Sequence, residues 1–156
     1  MSVIALRRAE RSDIPALSAI RARDWGTIDF WAQRLENYFD GLYNPLDALD
    51  ERIVFAAQRR ADLIGFAAGH LSRRYDCDGE LQWIAVLPEF RGLGIASQLF
   101  HQIAGWFAEQ NAQRICINCD VEDEHVLRFL TRHGAVPISR HWMMWPDIRM
   151  HAMTMP

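Results

Sequence analysis

The segment most informative about the fold is residues 79–100, which read GELQWIAVLPEFRGLGIASQLF. Residues 80–87 form an alternating apolar run, and this period of two predicts a β-strand. Pro88 ends the strand, and a glycine-containing turn at residues 91–96 leads into an amphipathic helical pattern. A helix that begins at such a turn presents unpaired backbone N–H groups and the positive end of its dipole. The segment therefore predicts an anion-binding site.

The residues before this segment predict a strand, two helices and a hairpin. Ser12 and Asp13 offer an N-cap for the first helix, and residues 25–26 break it. The second helix closes on Gly41, and residues 44–45 predict a turn. The predicted elements are a strand at residues 3–8, helical patterns at residues 14–20 and 28–39, and hairpin strands at residues 53–57 and 63–71.

The residues after the turn predict a long helix, a strand, a shorter helix and a final hairpin. The strand–helix–strand order predicts one parallel strand pair joined by a right-handed crossover. Asp123 or a near neighbour caps the shorter helix, and Gly134 ends it. The predicted elements are a helix with residues 96, 99, 100, 103 and 107 on one face, a strand at residues 114–119, a helix at residues 123–133 and hairpin strands at residues 136–140 and 142–145.

Together these patterns predict one domain over residues 1–156. Its class is α/β, or α+β by strand count. The predicted architecture is a mixed, mostly antiparallel sheet with one parallel strand pair, flanked by helices.

The composition argues against several functions. A net charge of −3 gives no support for general nucleic-acid or anionic-membrane binding, and no apolar run is long enough to span a bilayer. The N-terminal residues do not resemble a signal peptide, and the odd number of Cys, three, predicts reduced thiols. We therefore expect a cytoplasmic protein without nucleic-acid or membrane partners. Cys116 and Cys119 would point to opposite faces of a strand, and the His spacing predicts no metal site.

Three phosphate-binding motifs compete for the turn. A P-loop requires Lys after the glycines, and the chain contains no Lys. The dinucleotide fingerprint G-x-G-x-x-G fits Gly92 and Gly94 but meets Ser97 at its third position, and its strand should open the fold. The motif [QR]-x-x-G-x-[GA] is satisfied by Arg91, Gly94 and Ala96.

On these residues, and on the order of the elements, the chain resembles the GNAT-type N-acetyltransferases. The resemblance covers essentially the whole chain and is most specific at residues 80–107. It implies transfer of an acetyl group from acetyl-CoA to a primary amine of a small molecule or peptide, by direct attack in a ternary complex. In this family the turn holds the CoA pyrophosphate, and the pantetheine arm runs between the two parallel strands. The cofactor-binding residues implied by the resemblance are Ile84, Ala85, Val86, Arg91, Gly92, Leu93, Gly94, Ile95, Ala96, Ser97, Asn118 and Asp123.

Glu80 is the candidate catalytic base, since several family members carry a catalytic Glu at the matching position. The strand period places Glu80 and Val86 on the same face. A carboxyl group in an aromatic-rich cleft near Trp83 would have a raised pKa, which suits a base. The alternative is a structural carboxylate paired with Arg73 or Arg74.

The chain departs from the family pattern at the expected general acid. Leu130 occupies the position of the Tyr that protonates the thiolate in many members. Either Cys119, His125 or His133 replaces it, or no acid is needed, because a thiol with a pKa near 8.5 leaves as thiolate. This departure keeps open a non-catalytic acyl-CoA-binding or sensing module. A peptide or protein acetylase with an open groove is a third alternative.

Aromatic side chains of the early helices are candidates for the acceptor pocket, where they would hold an apolar or cationic acceptor. Packing in the core explains them equally well. The apolar C-terminal strand could also pair across a homodimer. The candidates for the pocket are Trp25, Phe30, Trp31, Tyr38, Tyr43 and part of residues 141–145.

Overall fold

The computed structural model describes residues 3–42, 47–120 and 122–152. These residues form a sheet of seven strands, four α-helices and several short 3₁₀ turns. The strands are β1 (Ile4–Arg8), β2 (Ala48–Arg59), β3 (Asp62–Ser72), β4 (Gly79–Val86), β5 (Ile115–Asn118), β6 (Val136–Ser139) and β7 (Trp142–Trp145). The helices are α1 (Ile14–Ala22), α2 (Ile28–Asp40), α3 (Ile95–Glu109) and α4 (Glu124–Arg132).

The sheet is mixed, with strand order β1-β2-β3-β4-β5-β7-β6. Strands β4 and β5 are parallel and are connected through α3, whereas the other neighbouring strands pair antiparallel. The predicted fold class, including the single parallel pair, is confirmed.

Helices cover both faces of the sheet. Helix α3 buries Leu99, Ile103 and Phe107 against one face, as its amphipathic pattern predicts. Helices α1 and α2 bury Leu17 and Leu35 against the other face. The candidate site residues of β4 can therefore face either α3 on one side of the sheet or α1 and α2 on the other.

The parallel strands pair only at their beginning. Gly79 is opposite Ile115 and Glu80 is opposite Cys116, and the register goes no further. Strand β4 then continues to Val86 with its β5 side open. The two strands thus separate and leave a cleft, as the family resemblance implies.

A β-bulge interrupts β4 next to this cleft. Trp83 is opposite Ala68 and Leu81 is opposite Gly69, which leaves Gln82 as an extra residue in the register of β3 and β4.

The bulge reverses the alternation of side chains along β4. Leu81 and Val86 are an odd number of positions apart, yet both pack in the cluster that contains α3. Trp83 and Ala85 pack on the opposite face, against α1 and α2. Glu80 therefore shares the α2 face with Ala85, and the prediction that Glu80 and Val86 lie on one face was wrong.

The start of the first helix also differs from the prediction. A 3₁₀ turn at Arg11–Asp13 precedes α1, and no side chain caps the α-helix itself. The Asp13 carboxylate instead accepts the Glu10 N–H at 2.7 Å and two hydrogen bonds from Arg7. The Asp13 carboxylate, which was predicted to cap the helix, is therefore bonded to Arg7 and the Glu10 N–H instead.

The other predicted helix ends are confirmed. Gly41 closes α2 with a left-handed φ of 71°. The Asp123 side chain caps α4 by accepting the N–H groups of His125 and Val126 at 3.1 and 3.2 Å. The turn predicted at residues 44–45 lies outside the described residues.

The C-terminal hairpin forms as predicted, but β7 lies between β5 and β6. Its two edges are therefore occupied, and the suggestion that it pairs across a dimer is corrected: the edge strand is β6. All three cysteines are buried and unpaired, and Cys116 and Cys119 face different clusters, as expected. Among the described helices, none is long and apolar enough to span a membrane.

Candidate active site

A cavity of about 1350 Å³ extends from helices α1 and α2, past the open side of β4, to helix α4. It brings together eight of the residues predicted from the sequence. These are Glu80, Ile84, Ala85, Val86, Arg91, Ala96, Asn118 and Asp123. The others, Gly92, Leu93, Gly94, Ile95 and Ser97, belong to the turn and to the first turn of α3, beside Arg91 and Ala96.

The glycine turn has the geometry of an anion site. Gly92 and Gly94 have φ values of +80° and +82°, a conformation that favours glycine. The first N–H of α3 to bond within the helix is that of Gln98, to Gly94 O at 3.0 Å, so the N–H groups of residues 95–97 have no intrahelical acceptor. A Cβ added at either glycine would meet no atom within 4 Å. Open space therefore adjoins free N–H donors, which fits a diphosphate.

The Ser97 side chain is already engaged. Its Oγ lies 2.9 Å from His133 Nε2, and His133 Nδ1 lies 2.8 Å from Phe129 O. Because the carbonyl can only accept, Nδ1 is the protonated nitrogen and Ser97 donates to Nε2. Ser97 thus ties α3 to α4 and offers an anion only its backbone N–H.

The open side of β4 presents backbone groups to the cleft. Leu87 N–H donates to Ile64 O of β3 at 2.8 Å, so the backbone groups of Val86 and Ile84 point the other way, into the cleft. Those of Ala85 point toward β3. Of the three β4 residues predicted to bind the pantetheine arm, Ile84 and Val86 present backbone groups to the cleft. Ala85 lines the cavity through other atoms.

Arg91 connects the turn to the end of β4. Its Nε donates to Val86 O at 3.0 Å and its Nη2 donates to Asp24 Oδ1 at 2.9 Å. The Val86 carbonyl is thus occupied, and the Val86 N–H is the group that remains for a ligand.

Glu80 lies at the other end of the cleft and is 3 % exposed. Its Oε1 accepts a hydrogen bond from Arg74 Nε at 3.2 Å and lies 3.7 Å from His70 Nε2. Burial raises the pKa of Glu80 to about 7, although the Arg74 charge and hydrogen bond oppose the shift. The Arg74 ion pair expected in the structural alternative is therefore present together with a pKa suited to a base.

The candidates for a general acid differ in position. Leu130 is buried and lines the cavity where the family has Tyr. Of the three alternatives, His125 lines the cavity, whereas Cys119 is buried outside its lining and both ring nitrogens of His133 are bonded. Burial also raises the pKa of the Cys119 thiol, which disfavours its thiolate form.

Aromatic side chains form the cavity wall at α1 and α2. Trp25, Phe30 and Trp31 have ring centroids 5.0 to 5.4 Å apart, and Trp31 contacts Trp83 at 6.0 Å. Trp25 is 56 % exposed and Phe30 42 % exposed, so these rings can contact an acceptor. Tyr38 is buried, and Tyr43 lies outside the described residues.

Several side chains at or beside the site were not identified from the sequence, among them His70, Gln82 and Arg34. His70 and Gln82 adjoin Glu80, and Arg34 lines the wall at α2. The signal for His70 was present: it is the one basic side chain in the apolar run of β3, where a polar group requires a buried partner.

The sequence model of the acetyltransferase (GNAT) family matches residues 14–135. Among individual relatives, uncharacterized N-acetyltransferases of Mycobacterium bovis and Mycobacterium tuberculosis are 28 % identical over 83 residues, which is 53 % of this chain and 52 % of theirs. The match thus spans about half the length of these relatives.

Solved structures share the fold. The PaiA N-acetyltransferase of Thermoplasma acidophilum in complex with coenzyme A has a TM-score of 0.70 at 15 % identity, covering 92 % of this chain and 99 % of that one. A mutant of the spermidine N-acetyltransferase SpeG of Vibrio cholerae has a TM-score of 0.67 at 15 % identity, covering 95 % of both chains. At these identities the likeness is one of architecture.

Proposed function

The chain belongs to the GNAT acetyltransferase family, and from this we propose that it is an acetyl-CoA-dependent N-acetyltransferase that acts on a primary amine of a small molecule or peptide. GNAT acetyltransferases use acetyl-CoA, and a structural neighbour is a coenzyme A complex. The observation that carries the proposal is one cavity that joins the open backbone of β4 to a buried carboxyl group with a pKa of about 7.

The chain offers two adjoining surfaces to acetyl-CoA. The N–H groups of residues 95–97, beside Gly92 and Gly94, would hold the pyrophosphate. The backbone of Ile84 would hold the pantetheine arm in the cleft between β4 and β5, and the Val86 N–H would face the thioester. Acetyl-CoA supplies the acetyl group as an activated thioester.

Glu80 would accept the proton of the acceptor ammonium. An alkyl ammonium has a pKa near 10.4 and is not a nucleophile until it is deprotonated. The amine nitrogen then bonds to the acetyl carbon, the carbon–sulfur bond breaks, the thiolate leaves, and the nitrogen releases its second proton to solvent to give the amide. The Val86 N–H, which points into the cleft, would donate to the developing oxyanion. Leu130 cannot supply a proton, so the thiolate leaves unprotonated or takes its proton from the solvent or His125.

The acceptor wall favours an amine that carries an anionic group over a polycation. Two of the four carboxylates that line the cavity are paired with arginines: Asp24 with Arg91 and Glu80 with Arg74. Asp120 and Asp123 accept backbone N–H groups.

Arg34, in contrast to these carboxylates, is a cation in the cavity wall. Its guanidinium lies 5.8 Å from the Phe30 ring centroid and 5.9 Å from that of Trp31. Among residues 3–42, 47–120 and 122–152 it has no carboxylate partner. An alkyl amine that carries both an aromatic ring and a carboxylate could stack on these rings and pair with Arg34.

Thiol release from acetyl-CoA tests the proposal. We expect release that depends on an added amine and is reduced about 10²-fold or more in Glu80→Gln. Tight acetyl-CoA binding without acceptor-dependent release across a broad amine panel would instead support the sensing module, which the Leu130 departure keeps as the second candidate.

A matched panel tests the acceptor class. Phenylalanine, 2-phenylethylamine and spermidine share an amine but differ in carboxylate and charge. We expect a higher kcat/KM for phenylalanine than for the other two, and loss of this preference in Arg34→Gln. The control is Arg60→Gln, an exposed arginine outside the cavity lining. Preference for spermidine would contradict the assignment of an anionic acceptor but not the acetyltransferase activity.

A further inference from the structure

We propose that His70 is a positioning residue for the base: through its Nε2–H it holds the Glu80 carboxylate in the orientation and charge state in which it accepts the acceptor proton. This inference rests on the proposed acetyltransferase function for its catalytic meaning. Its structural core, a hydrogen-bond donor aimed at Glu80, can be tested without turnover.

His70 and Glu80 are directly opposite each other on β3 and β4. Because opposite residues of an antiparallel pair share a face, both side chains point toward α2. His70 has no exposed surface, and its Nε2 lies 3.7 Å from Glu80 Oε1. At this depth the electrostatic interaction between the two groups is stronger than it would be at the surface.

The contact with Tyr38 determines the tautomer of His70. Tyr38 Oη lies 2.9 Å from His70 Nδ1, and burial raises the pKa of Tyr38 well above 10. The phenol therefore keeps its proton, and within the described residues Nδ1 is its one hydrogen-bond partner. Tyr38 must then donate to Nδ1, which leaves the proton of the neutral imidazole on Nε2.

His70 is neutral at physiological pH. Burial lowers its pKa to about 4, and the charges of Arg52 and Arg74 act in the same direction. In the described part of the chain, Nε2 has no hydrogen-bond partner within bonding distance. A buried donor without an acceptor is costly, and the Glu80 Oε1 acceptor lies 3.7 Å from this nitrogen. A small rotation of that carboxylate would satisfy both groups.

The surroundings of Glu80 define which oxygen is free. Arg74 approaches from the turn before β4, His70 from β3, Cys116 from β5 and Tyr38 from α2. Arg74 and His70 both approach Oε1. Oε2 makes no hydrogen bond to the residues that the structure describes, and it is the oxygen left to take a proton from the acceptor amine.

The role predicts a specific response to substitution. His70→Leu removes the donor, so the ionised form of Glu80 loses stabilisation and its pKa rises. His70→Gln is the matched control, because its amide nitrogen can replace the Nε2–H donor. A residue that only fills space would affect stability in both variants without this difference.

The test is a carboxyl ¹³C NMR titration of the protein without ligands, with Glu80→Gln used to assign the resonance. We expect native Glu80 to titrate near 7, His70→Leu to titrate about 1 pH unit higher, and His70→Gln to stay close to the native value. An unchanged or lower value in His70→Leu overturns the proposal. Because no acceptor is present, the result is independent of whether the protein acetylates amines.

A second measurement uses the native protein and so does not depend on the folding of a variant. The imidazole ¹⁵N shifts at neutral pH are expected to show Nε2 protonated and Nδ1 unprotonated. A protonated Nδ1, or a charged ring, overturns the proposal. If an acceptor is found, the acid limb of kcat/KM in His70→Leu should move upward with the Glu80 titration.

Discussion

Arg74 Nε donates a hydrogen bond to Glu80 Oε1 over 3.2 Å, while its guanidinium carbon lies 4.6 Å from the centroid of the Trp142 ring. The Arg74 guanidinium therefore links Glu80 on β4 to Trp142 on β7. It stabilises the ionised form of Glu80 and partly offsets the burial that raises the pKa of that carboxyl group. A pKa near neutrality results from these two opposing effects.

Removing the Arg74 charge should move this balance. In Arg74→Met we expect the pKa of Glu80 to rise above about 7, so that the acid limb of activity shifts to higher pH. The measurement is kcat/KM for the acceptor as a function of pH. Arg73→Met is the control, since among the described residues the arginine that bonds to Glu80 is Arg74 and Arg73 forms no hydrogen bond or ion pair with it. Equal shifts in both variants would mean that the effect is a general change in surface charge.

Glu80→Gln should reduce kcat by about 10²-fold or more, because the amide cannot take the ammonium proton. Acetyl-CoA affinity should change little, since the proposed cofactor groups are backbone atoms of β4 and the turn. Calorimetric binding and steady-state kinetics give the two quantities. Near-native turnover would remove Glu80 from the mechanism.

The pH dependence should report the same group. Glu80 is a base only when ionised, and its pKa is raised to about 7. Activity therefore rises as pH increases through about 7 and is lost as pH falls below it. The residual activity of Glu80→Gln should lack this limb. Persistence of the limb in that variant would assign it to another group.

Gly94→Ala should weaken acetyl-CoA binding. The alanine must adopt a φ of +82°, at a cost of about 1 kcal/mol, and its Cβ would enter the space proposed for the pyrophosphate. Gly105→Ala is the matched control: it lies in α3, its added Cβ also meets no atom within 4 Å, and alanine suits a helix. Binding titrations should show a loss for Gly94→Ala alone.

Substitution of Asp123 tests how much the α4 cap stabilises the fold. Asp123→Ala removes the acceptor of two N–H groups and should lower the free energy of unfolding by about 1 kcal/mol. Asp123→Asn keeps an acceptor oxygen and should retain most of the stability. Urea denaturation measures both variants. Equal stability of Asp123→Ala and the native chain would show that the cap contributes nothing.

The fold and the glycine turn could be predicted because their signals are local. Strand alternation, the amphipathic face of α3 and the glycines at positive φ each depend on neighbouring residues. Family membership confirmed the resemblance drawn from Arg91, Gly94 and Ala96.

The arrangement around Glu80 could not be predicted in the same way. The bulge at Gln82 depends on the register between β3 and β4, and no local pattern marks it. His70 reaches Glu80 only through strand pairing, and Arg34 reaches the cavity only through the packing of α2 on the sheet. Asp13 failed as a cap because Arg7, on another element, competes for its carboxylate.

We propose that the protein transfers an acetyl group from acetyl-CoA to an amine, with Glu80 as base. The most direct test is mass spectrometry of a cell extract incubated with the protein and acetyl-CoA labelled in its acetyl group. We predict a labelled N-acetyl product that forms with the native protein and is at least about 10²-fold reduced with Glu80→Gln. Tight acetyl-CoA binding without any labelled amide, or equal labelling by both proteins, would contradict the account.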